Sequence, residues 1–297
     1  MNRKIVASSL FAIVLLGANG CLGSPRTKIV LVRDRVASED PNADIGAIER
    51  RLACAGARDV EVRLGGDTAE FTFSASKIPT LDWTSIATRP GFLTTTPLVG
   101  ASRIPSFLPT LHLRLGRDVD LLPDVPGREY DFAPMALIVP ARKSSVDSIL
   151  ATIEFISILG QTAIPAWGAM PAYSDKDGAK RPGAQLFLLP PRRAWGGPIS
   201  NEVVDSAVFV AGSDSSMNGV DLRLNRQGKA AYLEMTQELT GTFVAILVDD
   251  QVLGAVKVAQ PVDGERFTVR GCGSDCQNLA AVLGGGPIRG VWRLADK

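Results

Sequence analysis

Cys272-Gly-Ser-Asp-Cys276 is the arrangement in this chain best placed for covalent chemistry, because Gly271 and Gly273 leave the backbone free to meet disulfide geometry. Catalytic oxidoreductase pairs have two residues between their cysteines and this pair has three, which predicts a structural bridge from Cys272 to Cys276 rather than a redox-active site. A zinc site needs four ligands in a tetrahedral set. The further candidates, Cys54 and the single histidine His112, are far away in sequence, so no metal or other cofactor is expected.

Hydrolytic chemistry has little to draw on. His112 sits in the alternating run Leu111-His-Leu113-Arg-Leu115 and reads as a surface residue of a strand, not a general base. No Gly-x-Ser-x-Gly elbow, no Gly-x-x-x-x-Gly-Lys-Ser/Thr phosphate loop and no dinucleotide fingerprint occurs. The run Gly284 to Gly286 follows a helix, where it ends the helix instead of cradling a phosphate. Asp175-Lys-Asp177-Gly178 has the outline of a calcium loop. With Gly178 in the sixth position, however, Tyr173 would stand first and Ala184 twelfth, and neither carries a carboxylate. Asp249-Asp250 reads as a solvated hairpin tip, and Arg142-Lys143 and Arg192-Arg193 as solvated loop charges. No catalytic residue is assigned and an enzyme is not expected.

With 297 residues, 45% of them hydrophobic and 21% charged, the chain has enough apolar material for packed cores. Its 29 glycines and 19 prolines stay below the roughly 25–30% share that marks unstructured chains. Lys+Arg 32 against Asp+Glu 31 leaves a formal charge of +1, which asks for neither nucleic acid nor an anionic lipid surface. No small-molecule substrate is inferred.

Residues 1–20 carry Arg3 and Lys4, then an apolar stretch from Ile5 to Leu16, then small residues before Cys21, which is the layout of an export signal. Its apolar core is about a dozen residues, short of the roughly 20 that a spanning helix needs. Ala18-Asn19-Gly20-Cys21 resembles a bacterial lipoprotein box, with Ala18 and Asn19 in place of its usual residues. Lipidation of Cys21 by palmitate-type chains is expected, each buried methylene contributing roughly 0.8 kcal/mol to anchoring on the periplasmic face of a membrane. The alternative is ordinary cleavage after Gly20 and a free secreted chain. Export also favours oxidation of the close cysteine pair.

Downstream, the periodicity predicts α+β modules of a ferredoxin-like, split βαβ kind, with antiparallel sheets backed by helices. In the first, Lys28 to Val32 forms a strand, Asp40-Pro41 starts a helix with Ile45, Ile48, Leu52 and Ala55 on one face, and Gly56 stops it. Two strands follow around the Gly65-Gly66 turn. From Ser76 to Pro134, prolines break the pattern, leaving strands and loops. Met135 to Val139, a helix capped by Ser144 or Ser145 and reaching Gly160, and Thr162 to Trp167 make a β-α-β unit, with Pro165 on an edge or broken strand. Tyr173 to Gly183 reads as an exposed loop. Strands at Leu186 to Leu189, Val203 to Val210, Val220 to Leu224, Phe243 to Val248, Val252 to Val258, Phe267 to Val269 and Val291 to Leu294 then alternate with two helices. Asn225 caps the first of these, Gly241 stops it, and the second runs from Ser274 to Leu283. The expectation is an open-faced antiparallel sheet with both helices on one side.

Val220-Asp-Leu-Arg-Leu-Asn-Arg-Gln-Gly-Lys-Ala, Leu239 to Asp249, Val252-Leu-Gly-Ala, Phe267-Thr-Val-Arg-Gly and Asn278-Leu-Ala-Ala-Val-Leu occur in the order seen in the head subdomain of the first periplasmic domain of SecD, which they resemble. Ile48-Glu-Arg-Arg-Leu-Ala-Cys-Ala-Gly56 and the strands after it are similar to the base subdomain of the same family. With the export signal (1–20), the pattern and the resemblance divide the chain into four segments, the others being a base-like β-α-β-β module (27–78), a strand and loop region with a β-α-β unit (79–175), and a head-like α+β domain (184–297). The resemblance implies a non-catalytic extracytoplasmic lipoprotein that binds an exported chain or a component of the export or envelope machinery. The alternatives are a structural envelope lipoprotein with no export role, or an accessory similar to the energy-coupling proteins ExbD and TolR. The proton-conducting membrane helices of SecD have no counterpart here, so the resemblance implies no motor.

Overall fold

Asp40 accepts a hydrogen bond from the Asn42 N–H at 2.9 Å and Pro41 occupies the first turn, so helix α1 (Pro41–Cys54) begins where the cap and proline predict. Gly56, at φ +92°, turns the chain away from it. In a computed structural model, structure is described for residues 26–34, 40–75, 81–98, 113–114, 119–122, 135–138, 142–152, 163–169, 172–174, 180–191, 199–213, 218–270 and 272–295. Residues 1–20, expected to be an export signal, Cys21 and His112 lie outside these residues.

Helix α1 lies on one face of a four-stranded antiparallel sheet built from β1 (Arg26–Arg33), β2 (Ala57–Gly65), β3 (Thr68–Ala75) and β16 (Trp292–Leu294), in the order β16-β1-β3-β2. Ile48 and Leu52 of the helix meet Leu31, Phe71 and Phe73 of the sheet, all fully buried. Each such side chain contributes on the order of 1.5–3 kcal/mol. The outer face alternates with it and is polar, with Lys28 paired to Glu70 at 2.8 Å. The last described strand of the chain therefore completes a sheet begun by the first.

Residues beyond 200 do not form the single sheet expected for them. Strands β11 (Val204–Val210), β12 (Gly219–Leu224) and β15 (Arg266–Arg270) make one three-stranded antiparallel sheet. Strands β13 (Phe243–Val248) and β14 (Gln251–Lys257) make another, with β4 (Leu93–Pro97) recruited from far upstream. The cause is the composition of β13, Phe-Val-Ala-Ile-Leu-Val, which is apolar on both faces and so must be covered on both. Val244, Ile246 and Val248 enter a core with helices α4 (Arg226–Glu238) and α5 (Cys276–Gly285), whereas Ala245 and Leu247 face Phe187 and Leu189. Both helices contribute to the core on the inner side of the β11-β12-β15 sheet, and its outer side stays open. The mixed α+β class holds. Strand β4 escaped prediction because Leu-Thr-Thr-Thr-Pro has no apolar alternation.

A fourth antiparallel sheet runs β5 (Val119–Leu122), β6 (Met135–Ile138), β10 (Ala184–Leu189), β7 (Ile164–Trp167), which puts Pro165 on an edge strand, where its missing N–H is harmless. Helix α3 (Lys143–Leu150) begins before Ser144 and Ser145, and neither caps it; Arg142 holds the cap position without a side-chain bond. Residues 153–160, expected to continue this helix, lie outside the described residues. Leu113 and Arg114, expected in a strand, are helical. The expected loop after Tyr173 holds a short hairpin of β8 (Ala172–Ser174) and β9 (Lys180–Pro182). A six-residue helix, α2 (Trp83–Thr88), capped by Asp82, was also hidden in the proline-rich stretch. Among the described residues no helix is long and apolar enough to cross a membrane.

Candidate functional site

Alternation along β11, β12 and β15 sends Phe209, Val220, Leu222 and Val269 inward and leaves Val208, Asp221, Arg223, Arg266 and Thr268 on the outer face. Val208, 58% exposed, sits opposite Asp221, which in turn sits opposite Thr268. Ion pairs cross this surface: Arg266 with Asp221 at 3.6 Å and Arg223 with Glu265 at 3.5 Å. A groove of about 420 Å³ at one end is lined by Asp205, Arg223, Asn225, Arg226, Lys229 and Glu265. The surface is mostly polar and charge-paired, with Val208 and Val210 as its exposed apolar side chains.

Beneath it, buried polar residues hold the head-like core to the α1 module. Arg51 is fully buried. Its Nε donates to the Gly286 carbonyl at 2.8 Å, Nη2 to Pro90 at 2.6 Å, and Nη1 to Ile86 at 3.2 Å and to Arg89. These are end-of-helix carbonyls of α5 and α2, so one guanidinium fork satisfies acceptors that neither helix can satisfy itself. Burial pushes the Arg51 pKa down to about 10, partly opposed by the charges of Asp249 and Asp44, and the group stays protonated at neutral pH. Asp44, also buried, accepts from Arg289 N at 2.8 Å, Gly290 N at 2.9 Å and Trp292 Nε1 at 3.0 Å.

Asp249-Asp250 is a tight turn with both residues left-handed, at φ +54° and +65°, as two-residue hairpins require. Asp249 is not the solvated charge expected. Its carboxylate accepts from Phe92 N at 2.9 Å and from Arg89 Nε at 2.8 Å, because β4 and the end of α2 pack beside the hairpin. Arg89 also donates Nη1 to Asp275 at 2.8 Å, and Asn201 bridges the Gly91 carbonyl and the Leu93 N–H.

Cys272 and Cys276 are joined by a disulfide, and Cys54 is free at the exposed end of α1. Cys21, His112, Asp175, Asp177, Gly178, Arg192 and Arg193 lie outside the described residues. Lys143 is no loop charge: it opens α3 with its Nζ 4.9 Å from the ring centre of Trp167, a cation–π distance. Helix α5 starts at Cys276 instead of Ser274 and runs past Leu283, so that Gly284 and Gly285, expected to follow it, form its last turn and Gly286, at φ +89°, ends it. Among the described residues no group of three or more His, Cys, Asp or Glu side chains could hold a metal ion. Sequence reasoning missed Arg51 and Asp44. The signal was available, since Asp44 and Arg51 fall four residues before and three after Ile48, on the apolar stripe of α1.

Residues 197–289 match the family model described as SecDF, P1 head subdomain. Among solved structures, the chain is similar to one described as the crystal structure of SecDF in a super-membrane-facing form, at 14% identity and a TM-score of 0.51. That similarity covers 91% of this chain and 29% of the other, so the chain spans less than a third of that protein's length. A second, described as the structure and function of a membrane component SecDF that enhances protein export, is 15% identical, with a TM-score of 0.49, and the similarity covers 91% of this chain and 99% of the other. At these identities the likeness concerns the fold. No curated protein matches the chain.

Proposed function

We propose that this chain is a non-catalytic extracytoplasmic accessory of protein export, which holds an exported polypeptide or a component of the export machinery against the open face of β11, β12 and β15. The observation that carries the reading is the match of residues 197–289 to the SecDF P1 head subdomain, on the stretch that folds into this open-faced sheet. The chemistry fits the task. Exposed Val208 and Val210 offer apolar contact without sequence selectivity, while the paired charges around them limit self-association. An acyl anchor on Cys21 would keep the face close to the membrane at which exported chains emerge, raising its effective concentration there.

The test is crosslinking in intact envelopes from a photoreactive residue at position 208, with one at Glu238 on the exposed side of α4 as control. Adducts from position 208 to exported chains or export components, absent from position 238, are expected. Equal yields from both positions, or adducts to abundant envelope proteins alone, would favour a structural envelope protein. The tether has its own check: Cys21→Ser should move the protein from the detergent phase to the aqueous phase, and unchanged partitioning would remove the anchor from the proposal.

A further inference from the structure

The three residues inside the Cys272–Cys276 ring include Asp275, which precedes α5 and is of a type favoured for capping a helix through its side chain. It does not cap α5. Asp275 is itself held in right-handed helical geometry, at φ −84° and ψ −5°, and makes no side-chain cap bond. Its Oδ2 instead takes Arg89 Nη1 at 2.8 Å and its Oδ1 takes Asn278 Nδ2 at 3.0 Å. Asn278 Oδ1 in turn accepts the Asp82 N–H at 3.0 Å. Arg89 and Asp82 are the two ends of α2, whose Ile86 and Ala87 pack with the α1 module. The short disulfide ring fixes the 3-10 turn Gly273–Asp275 and so keeps the Asp275 carboxylate aimed at α2 rather than at its own helix.

We infer that the Cys272–Cys276 bridge is a redox-sensitive latch: oxidised, it clasps α2 to the start of α5, and reduced, it frees Asp275 to cap α5 and so loosens α2 at its tie to that helix, without undocking it. A dithiol is the reductant. Its thiolate attacks the half-buried Cys272 sulfur, the disulfide breaks, and Cys276 leaves as a thiolate that takes a proton from water. The second thiol then attacks the mixed disulfide, giving the Cys272 thiol and the oxidised reductant. The rest of the junction, Arg51 and the Arg89–Asp249 pair, does not involve the ring and stays in place.

Amide hydrogen exchange of the full chain tests this, because the Ile86 and Arg89 amides bond within α2 at 3.0 Å and report its opening. Dithiothreitol should speed exchange at Ile86 and Arg89 about fivefold or more while leaving Phe71 in β3 unchanged. Asp275→Ala with the bridge intact should do the same, and reduction should add nothing to it. Three outcomes would overturn the latch: no change at α2 on reduction, an equal rise at Phe71 marking loss of the whole fold, or a full additional effect of reduction in Asp275→Ala.

Discussion

The Arg51 Nε donates to the carbonyl of Gly286 at 2.8 Å, joining the last turn of the first helix to the residue that ends the last one. The contact is possible because Gly285 has no side chain: a Cβ there would lie 2.5 Å from the Arg51 backbone nitrogen and 2.8 Å from its Cα. Helices α1 and α5 therefore cross at a glycine, and the guanidinium fills the space beside the crossing. The cross-link ties the module at the start of the described chain to the head-like core at its end.

Replacing the guanidinium should cost more than any surface change. Arg51→Met keeps much of the volume but removes the guanidinium donor from four carbonyls, of which Pro90's keeps the Ile288 N–H, with an expected loss of about 3 kcal/mol in urea unfolding. Arg51→Lys should recover only part of it, since an ammonium cannot span the fork. A loss below about 0.5 kcal/mol for the methionine variant would contradict the assigned role.

Gly285→Ala tests the crossing from the other side. The obstacle is backbone, which cannot swing away, so about 2–3 kcal/mol of destabilisation is expected, against a near-neutral Gly264→Ala control, where a Cβ would meet nothing nearer than 3.5 Å. Thermal unfolding monitored by circular dichroism would rank the two.

Asp44 holds three donors near the chain end, including the Trp292 indole. Asp44→Ala should lower stability by about 2 kcal/mol and shift the tryptophan emission as Trp292 loses its partner. Asp44→Asn keeps one acceptor oxygen and should fall between the two. Unchanged emission in the alanine variant would separate Trp292 from this carboxylate.

Cys54 provides a check by pH. Although the residue is exposed, its sulfur lies against Gly284 of α5, and this partial desolvation pushes the thiol pKa up, with the neighbouring Arg50 charge opposing. Since the thiolate is the nucleophile, alkylation at pH 8 should be slower in the folded chain than in urea. The folded state holds this proton more tightly than the unfolded chain, so the associated stability is present below the unfolded pKa and fades as pH rises through the folded one. Equal alkylation rates in both states would refute the shift.

Local signals in the sequence located most elements, because caps and periodicity act over a few residues. Asp40-Pro41, Asn225, Gly56 and Gly241 each stand at the helix end they predict. Long-range pairing left no such trace. Nothing in Leu93–Pro97 indicates that it pairs with β13, and nothing in Trp292–Leu294 that it completes the sheet of β1. At the candidate site, the bridge and the open strand face were legible from spacing and alternation. The role of Asp249 was not, because its partners Arg89 and Phe92 lie about 160 positions away and arrive only through the packing of α2.

Strand β13 carries the last prediction. Its inward residues Val244, Ile246 and Val248 serve the core containing α4 and α5, and Ala245 and Leu247 serve the cluster with Ala166, Phe187 and Leu189, so one strand is the common wall of two cores. A cavity on one side should then weaken both. Leu247→Ala is expected to cost about 3 kcal/mol and to raise exchange at Phe187 in β10 and at Leu222 in β12 together, although Leu222 does not belong to the cluster that lost the side chain. If Phe187 opened while Leu222 kept its protection, the two cores would be independent and β13 would transmit nothing between them.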